Sequence, residues 1–313
     1  MKLVYMGTPQ FAVLPLLALI EAGHEIAAVV TRIDKPAGRG RAVAAPAVKR
    51  AALERGLRVY QPKRVREPEF IEILRMLAPE AIVVAAYGQI LPQEILTLPK
   101  YGCINIHASL LPRYRGAAPI TWAVVRGETE TGNTIMQMDQ GMDTGAILLQ
   151  ERIPIDPKDT AGTLTEKLSL QGAKMITTAL PLIASGKLLP AVQDSSQATL
   201  APLLKKEDGR IDWEREAREI HDRVRGMSPW PGAYTVLDNK IVKLIETAVV
   251  DGSSEPGRLL AKDRNTLFAG TGSGLLQLLT IQPEGKKPMS AAEFLRGHRG
   301  IEGKKFEARI SQP

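Results

Sequence analysis

Two polar side chains stand two residues apart at the end of an apolar run in the stretch GCINIHASLLPRYRGAAP, residues 102–119. Side chains on a strand alternate faces, so Cys103, Asn105 and His107 share one face and Ile104 and Ile106 the other. Asn105 and His107 therefore emerge side by side near the C-terminal end of that strand, the edge at which open α/β sheets bind ligands. The asparagine offers an uncharged donor to a developing oxyanion, a group worth about 2.7–4 kcal/mol where it is preorganised. The histidine can give a hydrogen bond or a proton near neutral pH. A later acidic turn, MDQGMDTG at 138–145, supplies Asp139 and Asp143. A carboxylate behind an imidazole favours its charged form, and Asp143 could also take a proton from an amine nucleophile. Asn105, His107 and Asp143 together suit acyl transfer onto an amine with no covalent enzyme intermediate. The plainer alternative is that Asn105 and His107 cap the strand and MDQGMDTG is an Asp-Gly turn.

Other chemistries find little support. There is no nucleophile elbow, no P-loop and no metal-ligand set, and the four histidines (His24, His107, His221, His298) are scattered. His221 and His298 are expected to be surface or packing residues. The single cysteine, Cys103, excludes an intrachain disulfide and a cysteine-based zinc cluster, and makes a cytoplasmic home the default. The first turn, MGTPQF, has one glycine where a dinucleotide fold would show G-x-G-x-x-G, which disfavours a nicotinamide enzyme. No run approaches the roughly 18–20 apolar residues of a membrane span. FAVLPLLALI near the start is a first helix by this reading, because MGTPQ interrupts the approach to it and EAGHE replaces a cleavage site.

The elements that must position these groups follow from hydrophobic patterning. Apolar runs at 2–6, 25–31, 58–61, 81–87 and 103–107 are short, rich in Val and Ile and apolar on both faces, as buried parallel strands are. Helical patterns intervene at 10–22, 46–56, 68–77 and 117–127. This alternation predicts an α/β, Rossmann-like parallel sheet. Beyond residue 130, two β-like segments flank the acidic turn as a hairpin-type excursion, and a helix follows from about Thr163 to Ser185. Residues 190–208 carry no sustained period and read as a linker. One amphipathic helix over 212–227 then precedes apolar runs at 234–237, 240–250, 257–261, 266–269 and 275–281, the spacing of a small β-barrel or sandwich. At 313 residues the chain is long enough for both bodies. The expected division is a catalytic domain over 1–189, a linker over 190–208 and a second domain over 209–313.

The formal charge of +7 is concentrated. Residues 32–66 hold eleven Lys/Arg against Asp34 and Glu54, net +9, which leaves the remainder at −2. Such a stretch suggests an anionic partner, a phosphate-bearing cofactor or nucleic acid, although a solvated helix face at 46–57 would absorb some of it.

The segment NIHASLLPRYRGAAP resembles the N-x-H-x-S-L-L-P-x-[YW]-x-G signature of the formyltransferases that use 10-formyltetrahydrofolate. The resemblance extends over both halves, through GTPQFA (7–12), DKPAGRGR (34–41), VAAYGQILP (84–92), GNTIMQMDQGMDTG (132–145), RIDW (210–213), PWP (229–231) and IQPEGKKPMSAAEFL (281–295). It implies transfer of a formyl group from 10-formyltetrahydrofolate, as co-substrate and without a metal, to the α-amino group of initiator methionyl-tRNA. Asn105 and His107 would stabilise the oxyanion, and Asp143 would complete the triad. The folate would lie against Ala86, Tyr87, Gln89, Ile90 and Leu91, with Ser109, Leu110, Leu111, Pro112, Asp139 and Gly141 as the other wall. Pro112 and Gly116 would keep that loop rigid. The loop 34–41 would reach the tRNA through Lys35, Arg39 and Arg41. The second domain would be an OB-like barrel that follows the tRNA, most plainly through Lys286, Lys287, Lys304 and Lys305. Residues 206–313 carry only eighteen basic against sixteen acidic side chains, net +2. A cytoplasmic monomer with no membrane and no obligate protein partner is implied. Sister enzymes, a UDP-amino-sugar formyltransferase or a formyltetrahydrofolate hydrolase, would keep the triad but would not need the net +9 stretch. A basic nucleic-acid-binding module with no enzymatic activity is the third reading.

Overall fold

A computed structural model describes residues 1–37, 42–298 and 300–307, in two compact units. The first comprises Met1–Pro119, Glu130–Pro154 and Thr165–Pro202, the second Ile120–Thr129, Ile155–Leu164 and everything from Leu203 onward. The segment expected as a linker is thus divided between the units at Pro202 and Leu203.

The first unit is built on β1 (Lys2–Gly7), β2 (Glu25–Val30), the short hairpin β3 (Lys35–Ala37) and β4 (Ala42–Ala44), β5 (Val59–Tyr60), β6 (Ala81–Ala85), β7 (Cys103–His107), β8 (Glu130–Gln137) and β9 (Ile147–Pro154). Seven of these form one sheet in the order β5-β2-β1-β6-β7-β8-β9. The first five strands of that order are mutually parallel, and β8 and β9 add antiparallel. The expected excursion is therefore part of the main sheet: β8 pairs directly with β7, setting His107 opposite Thr134 and Asn105 opposite Met136. The central strands are buried on both faces, in keeping with their unbroken apolar sequences.

Up to residue 184 the helices are α1 (Val13–Glu21), α2 (Ala47–Leu53), α3 (Pro68–Leu77), the single turn α4 (Gln93–Leu96), α5 (Pro119–Val125), which from Ile120 belongs to the second unit, and α6 (Ala161–Ala184), which joins the first unit from Thr165. The third has local signals at both ends: Pro68 stands at the first helical turn, and Ala78 at the C-cap has φ +43. The short α4 was invisible to periodicity, since four residues hold barely one helical repeat. The strand expected over 81–87 stops at Ala85, because Ala86 takes φ +47 and turns the chain out of the sheet.

In the second unit, α7 (Ala217–Gly226) precedes β10 (Ala233–Leu237), β11 (Lys240–Val250), β12 (Leu259–Ala261), β13 (Leu267–Gly270), β14 (Leu275–Pro283) and β15 (Met289–Ser290), and α8 (Ala291–Gly297) follows. The helix expected over 212–227 starts later, since Trp213 is drawn into the core instead: it is buried, stacked on Phe306 at 5.1 Å, and donates from Nε1 to Thr235 Oγ1 at 2.9 Å. The strands make one antiparallel sheet, β10-β11-β14-β13-β12, with β15 added to β14. Residues 304–307 link its two edges. Glu307 exchanges hydrogen bonds with Val236 of β10, while Lys304 O accepts from Leu259 N of β12 and Phe306 N donates to Gly257 O. Closing a sheet on itself removes the exposed edges that invite aggregation. Helix α8 is started by a capping box in which Ser290 and Glu293 satisfy each other's backbone amides. His221 sits on α7 with Nδ1 at 3.0 Å from Thr247 Oγ1, and His298 follows α8 with its ring stacked on Phe294. His221 is half-buried and His298 exposed, within the surface or packing roles expected of them.

Candidate active site

Strand β7 delivers Asn105 and His107 to one face of the sheet, and both side chains are buried. His107 Nε2 lies 3.0 Å from the carbonyl oxygen of Tyr114. A carbonyl only accepts, so this nitrogen carries a hydrogen and donates it. The other nitrogen, Nδ1, lies 3.6 Å from Asp143 Oδ2. Asp143 comes from the acidic turn with φ +54, a conformation that non-glycine residues adopt rarely. Its Oδ2 accepts from the amide of Gly116 at 2.8 Å. The three residues picked out by type and spacing thus include a histidine and a carboxylate that face each other, beside the asparagine on the same strand. The strand-cap reading accounts for Tyr114 but leaves the Asp143 contact unexplained.

The loop after β7 is rigid for more reasons than Pro112 and Gly116. Thr134 Oγ1 donates to Ser109 O at 2.6 Å and accepts from Leu111 N at 3.1 Å and from Gln150 Nε2 at 2.9 Å. Gln150 Nε2 also reaches Leu111 O at 3.0 Å, and Ser109 Oγ donates to Arg113 O at 2.7 Å. Tyr114, with φ +62, donates its amide to Thr199 Oγ1 at 2.9 Å. Gly116 has φ +123, and a methyl there would sit 2.6 Å from Ala201 O. Thr134, Gln150 and Thr199 were not foreseen. They lie far from the signature in sequence, and no local pattern marks them.

The other expected binding residues take varied postures. Ala86 turns with φ +47, and Tyr87 is buried, with its carbonyl accepting from Thr8 Oγ1 at 2.9 Å. Burial pushes the Tyr87 phenol up to about 12. Gln89 turns inward, accepting from Val65 N at 2.9 Å and reaching Tyr87 Oη at 3.2 Å. Leu91 is buried whereas Ile90 is 88% exposed, so of this pair only Ile90 presents its side chain outward. Ser109 and Leu111 are buried, and Leu110 and Pro112 are partly so. Asp139 Oδ1 accepts from Gly141 N at 3.0 Å and Thr144 Oγ1 at 2.7 Å. Asp139 and Gly141 line a cleft of about 470 Å³ together with Gln93, Leu96, Thr97, Gln137, Met138 and Gln140.

Of the basic residues, Lys35 is exposed on β3, whereas Arg39 and Arg41 lie outside the described residues. Part of the basic stretch is structural: Lys49 pairs with Asp34 at 2.7 Å, and Arg32 donates to Gly88 O at 3.0 Å. Lys286 and Lys287 are exposed. Lys304 is held by Asp238 at 2.6 Å and Lys305 by Glu255 at 2.5 Å, so each has a carboxylate beside it. Among the described residues no group of three or more His, Cys, Asp or Glu could hold a metal ion, and no helix is long and apolar enough to cross a membrane.

Cys103 lies on the same strand face but is fully buried, and burial pushes its thiol up to about 12 from an ordinary 9.0. A thiol that is both buried and held protonated is a poor nucleophile. The native protein at pH 8 will therefore react with a thiol reagent only on unfolding. Immediate stoichiometric labelling under native conditions would contradict this placement.

The chain matches the formyl transferase family over residues 1–180 and its C-terminal domain over 203–299. A methionyl-tRNA formyltransferase of Geobacter sulfurreducens is 50% identical over 299 residues, spanning 96% of this chain and 94% of that relative. One from Thermodesulfovibrio yellowstonii is 50% identical over 301 residues, spanning 96% and 97%. In fold, the chain is similar to WlaRD, a sugar 3N-formyl transferase, with TM-score 0.67, 20% identity and coverage of 92% and 99%. It is also similar to HypX from Aquifex aeolicus, crystallised with tetrahydrofolic acid, with TM-score 0.65, 18% identity and coverage of 97% of this chain and 48% of that one. Fold, signature and relatives define a transferase of formyl groups. The chain belongs to the formyl transferase family.

Proposed function

We propose that this enzyme moves the formyl group of 10-formyltetrahydrofolate to the α-amino group of methionyl-tRNA, the initiator species, with Asn105, His107 and Asp143 carrying the chemistry. The observation that supports this most is the Asp143 carboxylate facing His107 Nδ1 beside Asn105. The acceptor rests on relatives of that name at 50% identity along almost the whole chain.

In this mechanism the amine attacks the formyl carbon and its π electrons move to oxygen. Asn105 donates from its side-chain amide to that oxygen. His107, with Nε2 fixed on Tyr114, keeps Nδ1 toward Asp143, and its share in holding the oxyanion is part of this proposal. Donors set in place beforehand cost no reorganisation when the charge appears. Asp143, steadied by the Gly116 amide, takes the proton that the amine loses, directly or through water. Collapse of the tetrahedral centre breaks its bond to the folate nitrogen, which takes up the proton that Asp143 had accepted, directly or through water, and leaves as tetrahydrofolate, returning Asp143 to its carboxylate form. The folate lies against Ala86, Tyr87, Gln89, Ile90, Leu91, Ser109–Pro112, Asp139 and Gly141. The tRNA is drawn by Lys35, Arg39 and Arg41 and by Lys286 and Lys287. Lys304 and Lys305 contribute less because carboxylates already neutralise them. The protein works as a cytoplasmic monomer, with the first unit carrying the chemistry and the second, from Leu203 onward, binding the tRNA.

The test mixes purified protein, 10-formyltetrahydrofolate and radiolabelled methionyl-tRNA, initiator against elongator, and follows formylmethionine and tetrahydrofolate together. Formylation of the initiator alone is expected. Tetrahydrofolate without formylmethionine would make the protein a hydrolase, and neither product would direct the search to amino-sugar acceptors.

A further inference from the structure

Gln193 lies 50 residues beyond Asp143 in sequence, in the segment expected to be a linker, yet it is buried to 7% exposure. Its amide is fully used. Nε2 donates to Asp143 O at 2.8 Å and to Gly145 O at 2.7 Å. Oε1 accepts from Arg115 Nε at 3.1 Å and from Arg115 Nη2 at 2.7 Å. A primary amide has two donor hydrogens and two acceptor lone pairs, and here each has a partner. The guanidinium is buried as well, and its other neighbour is Ser195 Oγ at 3.4 Å.

We propose that Gln193 is a positioning residue for formyl transfer: it joins the loop that follows His107 to the turn that carries Asp143, and so sets where the Asp143 carboxylate points. This rests on the catalytic role given to Asp143 above.

The need for such a clamp follows from local conformation. Asp143 holds φ +54, and a non-glycine residue stays in that region only when its surroundings over-determine it. The Gly116 amide holds the carboxylate end of Asp143, and Gln193 holds the backbone end. Both ties run to neighbouring residues of one loop, Gly116 and Arg115. The turn has no slack on its far side either, because a methyl on Gly145 would come within 1.8 Å of Gln137 O. Gln193 is itself well anchored. Two residues before it, Ala191 exchanges a reciprocal pair of 2.8 Å hydrogen bonds with Ile147, at the start of β9. Beyond it, Thr199 O accepts from Arg115 N and Ala201 N donates to Arg115 O, both at 2.8 Å. The segment 191–201 is thus a strap across the acidic turn and the signature loop. Gln193 is its contact with the turn.

No other side chain meets these demands. Glutamate would still serve Arg115 but would set a carboxylate against two carbonyl oxygens. Asparagine is one methylene short, and methionine keeps the length while losing all four bonds.

Gln193→Glu and Gln193→Met are compared with wild type in the formylation assay, alone and combined with Asp143→Asn. Each single variant is expected to lower kcat about 10- to 100-fold, the range for supporting contacts and for misplacement near 1 Å. KM for folate and for methionyl-tRNA should change less than about threefold, since ground-state binding does not run through Asp143. Adding Gln193→Glu to Asp143→Asn should cost almost nothing further, because the residue acts through Asp143. Should Gln193→Glu fail to fold, Gln193→Met decides on the same three readouts. Near-wild-type kcat, a loss confined to KM, or losses that multiply fully in the double variant would each overturn the proposal while leaving the function intact. Wild-type protein that transfers no formyl group to methionyl-tRNA would overturn the functional reading, and this inference with it.

Discussion

Asn105→Ala lowers kcat by about 10²–10³, the cost of one preorganised oxyanion donor, and leaves folate affinity within a few-fold of wild type. The side chain sits on the buried face of β7, where its amide is cast as meeting the oxygen only once negative charge has built up. A contact made in the transition state alone lowers kcat and kcat/KM together and spares ground-state binding. Steady-state kinetics with saturating tRNA, paired with fluorescence titration of folate, separate the two. Unchanged turnover would remove Asn105 from the mechanism. A loss of folate binding that matches the loss of turnover would recast it as a binding residue. The change to alanine also opens a void in a buried strand, so the thermal midpoint must be recorded for each variant.

Trp213→Ala is the largest stability loss to expect, about 3–5 kcal/mol. Trp213 is 4% exposed, stacks on Phe306 with an interplanar angle of 11°, and gives its indole hydrogen to Thr235 Oγ1. Truncation removes a large apolar side chain from the core of the second unit, which includes Ile211, Ile220, Leu244, Leu276 and Phe294. It also loosens Phe306, a residue of the strand-like segment that joins the edges of that sheet. In urea the second unit should unfold at a clearly lower midpoint, read by the remaining tryptophans, Trp122 and Trp230, and by limited proteolysis. A midpoint within experimental error of wild type would show that the core tolerates the cavity, and would weaken the case that residues 304–307 depend on this stack.

The sequence alone determined the central arrangement of the first unit. Short Val- and Ile-rich runs apolar on both faces favour buried strands, and their alternation with helical patterns favours parallel winding, so β1, β2, β6 and β7 were legible in the sequence. The same period-two rule placed Asn105 and His107 on one face, since that is local backbone geometry. Turn chemistry pointed to the acidic pair Asp139 and Asp143 and the family resemblance to Asp143 as the triad member, whereas Trp213 read as part of a helix over 212–227.

Tertiary structure decided what joins these pieces. That β8 lies beside β7, making the hairpin part of the main sheet, depends on pairing between segments with no shared local signal. The contact of Asp143 with His107 spans 36 residues and needs a left-handed backbone at Asp143, which propensity argues against. Gln193 was read as linker because exposed loops and buried straps have the same polar, aperiodic composition. What distinguishes them is whether each polar atom finds a partner inside the fold, and those partners, Arg115, Asp143 and Gly145, are dozens of residues away. Local patterning fixes which way a side chain faces, whereas long-range hydrogen bonds fix what it meets there.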